Sequence, residues 1–173
     1  MTIMPPASTL TSQSAAAILS GEFDNSQLLL PYQKRWIADD AQLKIAEKSR
    51  RTGLTWAEAA DAALNGSMSV EAGGCDTFYV GTTKDMAREF IDACAMWAKA
   101  YDRAASDIGE EVLKDEDKDI LVYVIQFASG YKIKALSSNP SNLRGMQGNV
   151  IIDEAAFQAD LAAVLKAALA LTM

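Results

Sequence analysis

Glu47-Lys48-Ser49-Arg50-Arg51-Thr52-Gly53-Leu54-Thr55-Trp56 is the stretch on which the fold turns, a basic, glycine-bearing turn with a hydroxyl residue where a helix should begin. Upstream, residues 42–48 carry Leu43, Ile45 and Ala46 in partial alternation and predict a strand. Leu-Lys-Ile-Ala-Glu is, however, less continuously apolar than a central parallel strand should be. Downstream, Thr55 to Leu64 is alanine-rich and predicts a helix that stops at Asn65-Gly66. Strand, glycine turn and helix, in that order, aim backbone N–H groups and a helix N-terminus at a phosphate. The common spacing G-x-x-x-x-G-K-[ST] is not met, since Lys48 or Ser49 stands near the first glycine's place and Leu54 where the lysine belongs. Gly53 and Thr55 keep the right relation for a helix start and a Mg²⁺-coordinating hydroxyl. Lys48, Arg50 and Arg51 can bring the positive charge from the start of the loop. On pattern alone, a basic surface turn is the commoner reading.

About a hundred residues later comes Asn149-Val150-Ile151-Ile152-Asp153-Glu154-Ala155-Ala156-Phe157. Its short, β-branched apolar run predicts a strand buried on both faces. A carboxylate at the end of such a strand can hold Mg²⁺ through its water shell, and a neighbouring one can orient or deprotonate an attacking water. An apolar strand with an acidic end is common by itself. In this order and at this separation the two signals support one another.

The remaining chain reads as the frame. Residues 1–27, rich in Pro, Ser, Thr and Ala, read as a loose arm with a short helix at Ser14 to Leu19. Pro31 opens a helix with Tyr32, Trp36 and Ile37 at helical spacing. After the Gly73-Gly74 turn, Thr77-Phe78-Tyr79-Val80 predicts a strand. Thr82, with Asp85 three residues on, resembles a capping box. It leads into a helix with Met86, Phe90, Cys94, Trp97 and Tyr101 along one stripe, which reads as core. Asp115-Glu116-Asp117-Lys118-Asp119 reads as a solvated loop. Ile120 to Phe127 and Tyr131 to Leu136 form a hairpin about Ala128-Ser129-Gly130. A loop spans Ser137 to Gly148, and Asp160 to Thr172 is a helix apolar on nearly all sides. Alternating strands and helices favour an α/β sheet with helices on its faces, binding ligands at the carboxyl ends of its strands.

Composition narrows the chemistry. The 173 residues fit one ordinary domain, and half of them are hydrophobic. A net charge of −7 argues against a surface that grips nucleic acid throughout, leaving only a local basic patch. With no histidine there is no Ser-His-Asp or Cys-His pair, so chemistry falls to carboxylates, Lys, Arg and a hydroxyl-bound ion. Cys75 and Cys94 are too few for a disulfide framework or zinc site, and reduced thiols in a cytoplasmic setting are expected. No apolar run approaches the roughly 18 residues of a membrane span, and the N-terminus lacks the pattern of a signal peptide.

Four segments in order carry a family likeness: Leu30-Pro31-Tyr32-Gln33, the loop from Glu47 to Trp56, Ser138-Asn139-Pro140-Ser141-Asn142-Leu143-Arg144-Gly145, and Val150 to Phe157. Together they resemble the ATPase domain of phage large terminase subunits, the DNA-packaging motors, most closely the version in Mu-like phages and prophages. Terminases often carry a deviant loop with its lysine or arginine shifted toward the start, which accommodates Leu54.

The resemblance implies an ASCE-type P-loop NTPase, with a mainly parallel sheet flanked by helices and a β-hairpin insertion, using ATP and Mg²⁺. It implies that Gln33 meets the adenine edge with Tyr32 or Trp36 nearby, and that Lys48 and Arg51 serve the β- and γ-phosphates. Ser49, Arg50, Thr52, Gly53 and Thr55 line the nucleotide, Thr55 and Asp153 take Mg²⁺, and Glu154 is the catalytic carboxylate. Arg144 is placed near the site, where a structural salt bridge is an equal alternative. Partners implied for the complete protein are double-stranded DNA, the portal and the small terminase subunit, with self-association left open.

In the family a further strand with a coupling motif and an RNase H-like nuclease follow. The chain therefore reads as a C-terminally truncated piece, an arm over 1–27 and a partial ATPase domain over 28–173. The competing readings are a helicase-like or recombination P-loop ATPase, and an inert assembly module whose last apolar helix meets a partner chain.

Overall fold

Strand β1, Thr77–Gly81, is buried along its whole length and forms the axis of the sheet. The computed structural model describes residues 28–49, 51–101, 105–115, 118–137 and 146–170. The expected Ser14 to Leu19 helix, Arg50 and the loop segment holding Arg144 lie outside them. Helices α1 (Pro31–Ile37) and α2 (Leu54–Ser67) precede β1. Then come α3 (Lys84–Ala100), β2 (Ala105–Asp115), β3 (Lys118–Phe127), β4 (Lys132–Ser137), β5 (Asn149–Ile152) and α4 (Leu161–Leu169). The five strands lie in the order β2-β3-β4-β1-β5. β4, β1 and β5 run parallel, and the β2–β3 extension is joined to β4 by antiparallel pairing.

The two-residue period of β1 sorts the core into two layers. Tyr79 faces α2 and α3, with Ile125, Phe127, Ile133 and Ala135 beside it. Phe78 and Val80 face the other way, with Val122, Val124 and Leu136, and are covered by Val164 and Ala168 of α4. The sheet is therefore an α/β layer with helices on both faces, as the alternation of elements predicts. On the first face, Ala59, Ala60, Ala62 and Ala63 of α2 are buried in the same cluster as the Phe90-Cys94-Trp97 stripe of α3. Trp97 Nε1 donates to the Trp56 carbonyl at 3.2 Å, and the two indoles lie 5.0 Å apart.

Four expectations change. Residues 42–48 form no strand, and Leu43 and Ile45 are 62% and 85% exposed. Their alternation has no core to face, so pairing would bring no burial to offset the entropy of ordering. Lys44 instead turns to Trp36, its Nζ donating to the backbone carbonyl at 3.0 Å and lying 5.1 Å above the ring. β5 is consequently the edge strand, and its Val150, Ile151 and Ile152 are half-buried where burial on both faces is predicted. A strand the sequence does not announce, β2, pairs along β3 from Ala105 to Asp115, so Asp115 and Lys118 end a ladder and the acidic run is not merely a loop. The cap of α3 is Thr83, whose hydroxyl accepts from Met86 N, rather than Thr82, whose hydroxyl contacts Met86 Sδ. The last helix, α4, packs against the sheet as its apolar character requires, burying Val164 and Ala168 while Leu165 and Leu169 stay exposed.

Candidate functional site

The site forms where the start of α2 meets the end of β5. Gly53 takes a left-handed φ of 76° and serves as N-cap, which points the first turn of α2 away from the loop. The loop is held from below by α1. Gln33, 4% exposed, accepts from Leu30 N at 2.8 Å and donates to the Gly53 carbonyl at 2.7 Å. The first of these is half of a capping box, a glutamine at the third helical position reaching back to the cap N–H. The Tyr32 hydroxyl donates to the Thr52 carbonyl, and the Trp36 indole N–H to the Glu58 carboxylate. Gln33 is thus committed to backbone at both ends of its amide and has almost no exposed surface to offer a base edge.

At the other side, Asp153 N donates to the Val80 carbonyl at 3.1 Å, continuing the β1–β5 ladder one step beyond Ile152. This pairing sets the Asp153 carboxylate, 8% exposed, above the end of the sheet. Its Oδ2 accepts from the Thr55 hydroxyl at 2.7 Å and the Tyr79 hydroxyl at 3.1 Å. Its Oδ1 accepts from Glu154 N at 2.9 Å and pairs with Lys48 Nζ at 3.0 Å. Burial pushes the carboxyl up, but the Thr55 hydroxyl, the Lys48 ammonium and the Glu154 N–H outweigh it and hold Asp153 below the usual carboxylate range. Burial first, then the adjacent Asp153 charge, pushes the Tyr79 phenol well above its ordinary value, so it stays a donor.

Two motifs far apart in sequence therefore share one carboxylate. Thr55, Lys48, Asp153 and Glu154 come together; Arg51 is exposed on the loop with a left-handed φ of 60°, Ser49 is exposed, and Thr52 is half-buried. Leu54 opens α2 half-buried, with no polar duty. Glu154 also adopts a left-handed backbone, φ 50°, a conformation that costs a non-glycine residue and is characteristic of functional sites.

Because Thr55 spends its proton on Asp153, its oxygen lone pairs are free for a cation. A hydroxyl and a carboxylate are hard oxygen donors that suit Mg²⁺. No group of three or more acidic, Cys or His side chains gathers among the described residues.

Two residues of the site escaped the sequence reading. Tyr79 carries no motif, and only the parallel register of β1 beside β5 brings it to Asp153. Gln158 is 8% exposed and donates to the Asp153 carbonyl at 3.2 Å, securing the turn that follows β5.

No protein-family model matches the chain. Mu-like prophage FluMu protein gp28 of Haemophilus influenzae is 72% identical over 151 residues, covering 87% of this chain and 30% of that protein. The probable terminase, large subunit gp28, of Escherichia phage Mu is 52% identical over 153 residues, 86% of this chain and 28% of its own length. The chain thus spans less than a third of the curated relatives it matches. Among solved structures, a mutant of the large terminase ATPase domain of Thermus phage P74-26 superposes with a TM-score of 0.52 at 16% identity. That match covers 80% of this chain and 60% of that one, and is a likeness of fold.

Proposed function

We propose that this chain is the ATPase portion of a large terminase subunit, a reading supported by its 52% identity to the probable terminase, large subunit gp28, of Escherichia phage Mu and its 72% identity to the FluMu gp28 protein. In the complete protein it would couple hydrolysis of Mg²⁺·ATP to the packaging of double-stranded DNA, working with a portal and a small terminase subunit. Residues 28–173 are taken as part of that ATPase domain, with 1–27 as an arm. The observation that carries this reading is the shared carboxylate of Asp153, held at once by Thr55 and Lys48.

Each residue then has a task. The N–H groups at the start of α2 lack intrahelical partners and face an anion brought to the loop. Lys48, with Arg51 and Arg50, supplies charge to the β- and γ-phosphates. Lys48 must exchange Asp153 for phosphate, a move open to a partly exposed ammonium on a flexible stem. Thr55 and Asp153 hold Mg²⁺, which when bound neutralises charge on the phosphates. Glu154 orients the attacking water and accepts its proton. Ser49 and Thr52 line the loop. Gln33 keeps the Gly53 carbonyl in place, and the partly exposed Tyr32 ring is the surface available to the base.

Calorimetric titration of the chain with Mg²⁺·ATP tests the assignment. Lys48→Ala and Asp153→Ala are each expected to weaken binding at least tenfold, the loss of a charge-assisted contact or a metal ligand. Undiminished binding in both variants sinks it.

A further inference from the structure

We propose that Tyr79, the middle residue of β1, is a positioning residue for the metal side of this site, an inference that rests on the reading of Asp153 as the Mg²⁺ carboxylate. Its phenol fixes the orientation of that carboxylate without touching nucleotide.

The geometry makes the role specific. The carboxylate of Asp153 has four protein donors: Thr55 and Tyr79 on Oδ2, Glu154 N and Lys48 on Oδ1. Three of these come from groups with little freedom. Thr55 sits in the first turn of α2, Glu154 N is backbone, and the Tyr79 ring is 1% exposed and stacked on Phe90 at 4.1 Å and 10°. Lys48 is the mobile one, its side chain 29% exposed. Two hydroxyls from separate elements therefore pin Oδ2, while Oδ1 keeps its bond from Glu154 N and gains an open lone pair when Lys48 moves to a phosphate. Without the Tyr79 phenol, Thr55 on Oδ2 and Glu154 N on Oδ1 are the two rigid donors left, the carboxylate has a wider range about its side-chain bonds, and the metal finds a less ordered ligand. Phenylalanine fills nearly the same volume in this layer, so packing does not require the hydroxyl. A buried hydroxyl costs desolvation unless it is bonded, and here its partner is the site carboxylate.

Tyr79→Phe tests this in the full chain, since it keeps the stack on Phe90. The quantity read is the gain in ATP affinity that Mg²⁺ confers over ATP in EDTA. The variant is expected to lower that gain roughly three- to tenfold, the scale of one hydrogen bond, while affinity in EDTA moves much less. An unchanged gain, or a parallel fall of both affinities, overturns the inference. Asp153→Asn is the control: if it leaves the Mg²⁺ gain intact, the metal assignment fails instead. A cycle independent of nucleotide joins Tyr79→Phe with Asp153→Ala in urea unfolding. Tyr79→Phe is expected to shift the unfolding constant several-fold less once Asp153 is gone, and equal shifts in both backgrounds also overturn the inference.

Discussion

Gly53 is where the loop, α1 and α2 meet, and its lack of a side chain is required twice. Its φ of 76° is left-handed, and a Cβ there would lie 2.8 Å from Gln33 Nε2, which donates to the Gly53 carbonyl itself. Gly53→Ala is therefore expected to destabilise by about 1–2 kcal/mol from backbone conformation alone, and by more if the Gln33 amide is displaced. Urea unfolding measures it, and a variant as stable as the parent contradicts this geometry. The glycine was legible as the start of a helix from its place before Leu54-Thr55. Its bond to Gln33 was not, because nothing in a local pattern joins residues 20 positions apart.

Helix α2 shows what an element gains from its neighbours. Its alanines are a packing face, but Glu58 and Asp61, one turn apart on the same helix, are half-buried, Glu58 against Trp36 of α1 and both near Lys44. Burial pushes both carboxyls above the ordinary range. For Glu58 the Trp36 indole N–H and Lys44 pull back, while Asp61 and Asp153 push further up. For Asp61, Lys44 and the Asn65 side chain pull back.

A carboxyl with a raised folded pKa binds more protons folded than unfolded. Stability therefore falls as pH rises from the unfolded value, about 4, through the folded one. Glu58→Gln removes that loss. Its unfolding free energy relative to the parent is expected to climb with pH above about 4 and to level off once Glu58 is ionised. A difference that stays flat across the acid range rules this out. In the sequence these two carboxylates are ordinary polar positions of a helix, and only the layer above makes them costly. The α3 stripe and the β3–β4 hairpin were readable because helix period and the Gly130 turn are local properties. β2 was not, since Asp107, Glu110, Glu111 and Lys114 break any period and its strand state comes from pairing with β3. At the scale of the molecule, the sheet carries two core layers, one under α2 and α3 and one under α4. Apolar residues outside them contribute little. Ile45→Ser, at an 85% exposed position, is expected to change unfolding free energy by no more than about 0.5 kcal/mol. Phe90→Ala, at a 1% exposed one, is expected to cost about 3–5 kcal/mol. Comparable losses in urea unfolding would mean that residues 42–48 are paired after all. Among the described residues no helix is long and apolar enough to cross a membrane. By itself the sequence determined where the glycine loop starts its helix, where the acidic strand ends, and that an α/β sheet with helices on its faces frames them. These are legible because caps, turns and side-chain periods depend on neighbours a few positions away. Only the tertiary structure decided that Asp153 meets Thr55 across 98 positions, that Tyr79 joins them, that Gln33 serves the loop, and that residues 42–48 stay outside the ladder. Those outcomes depend on strand register and on which edges find partners, and both are settled by packing between distant segments.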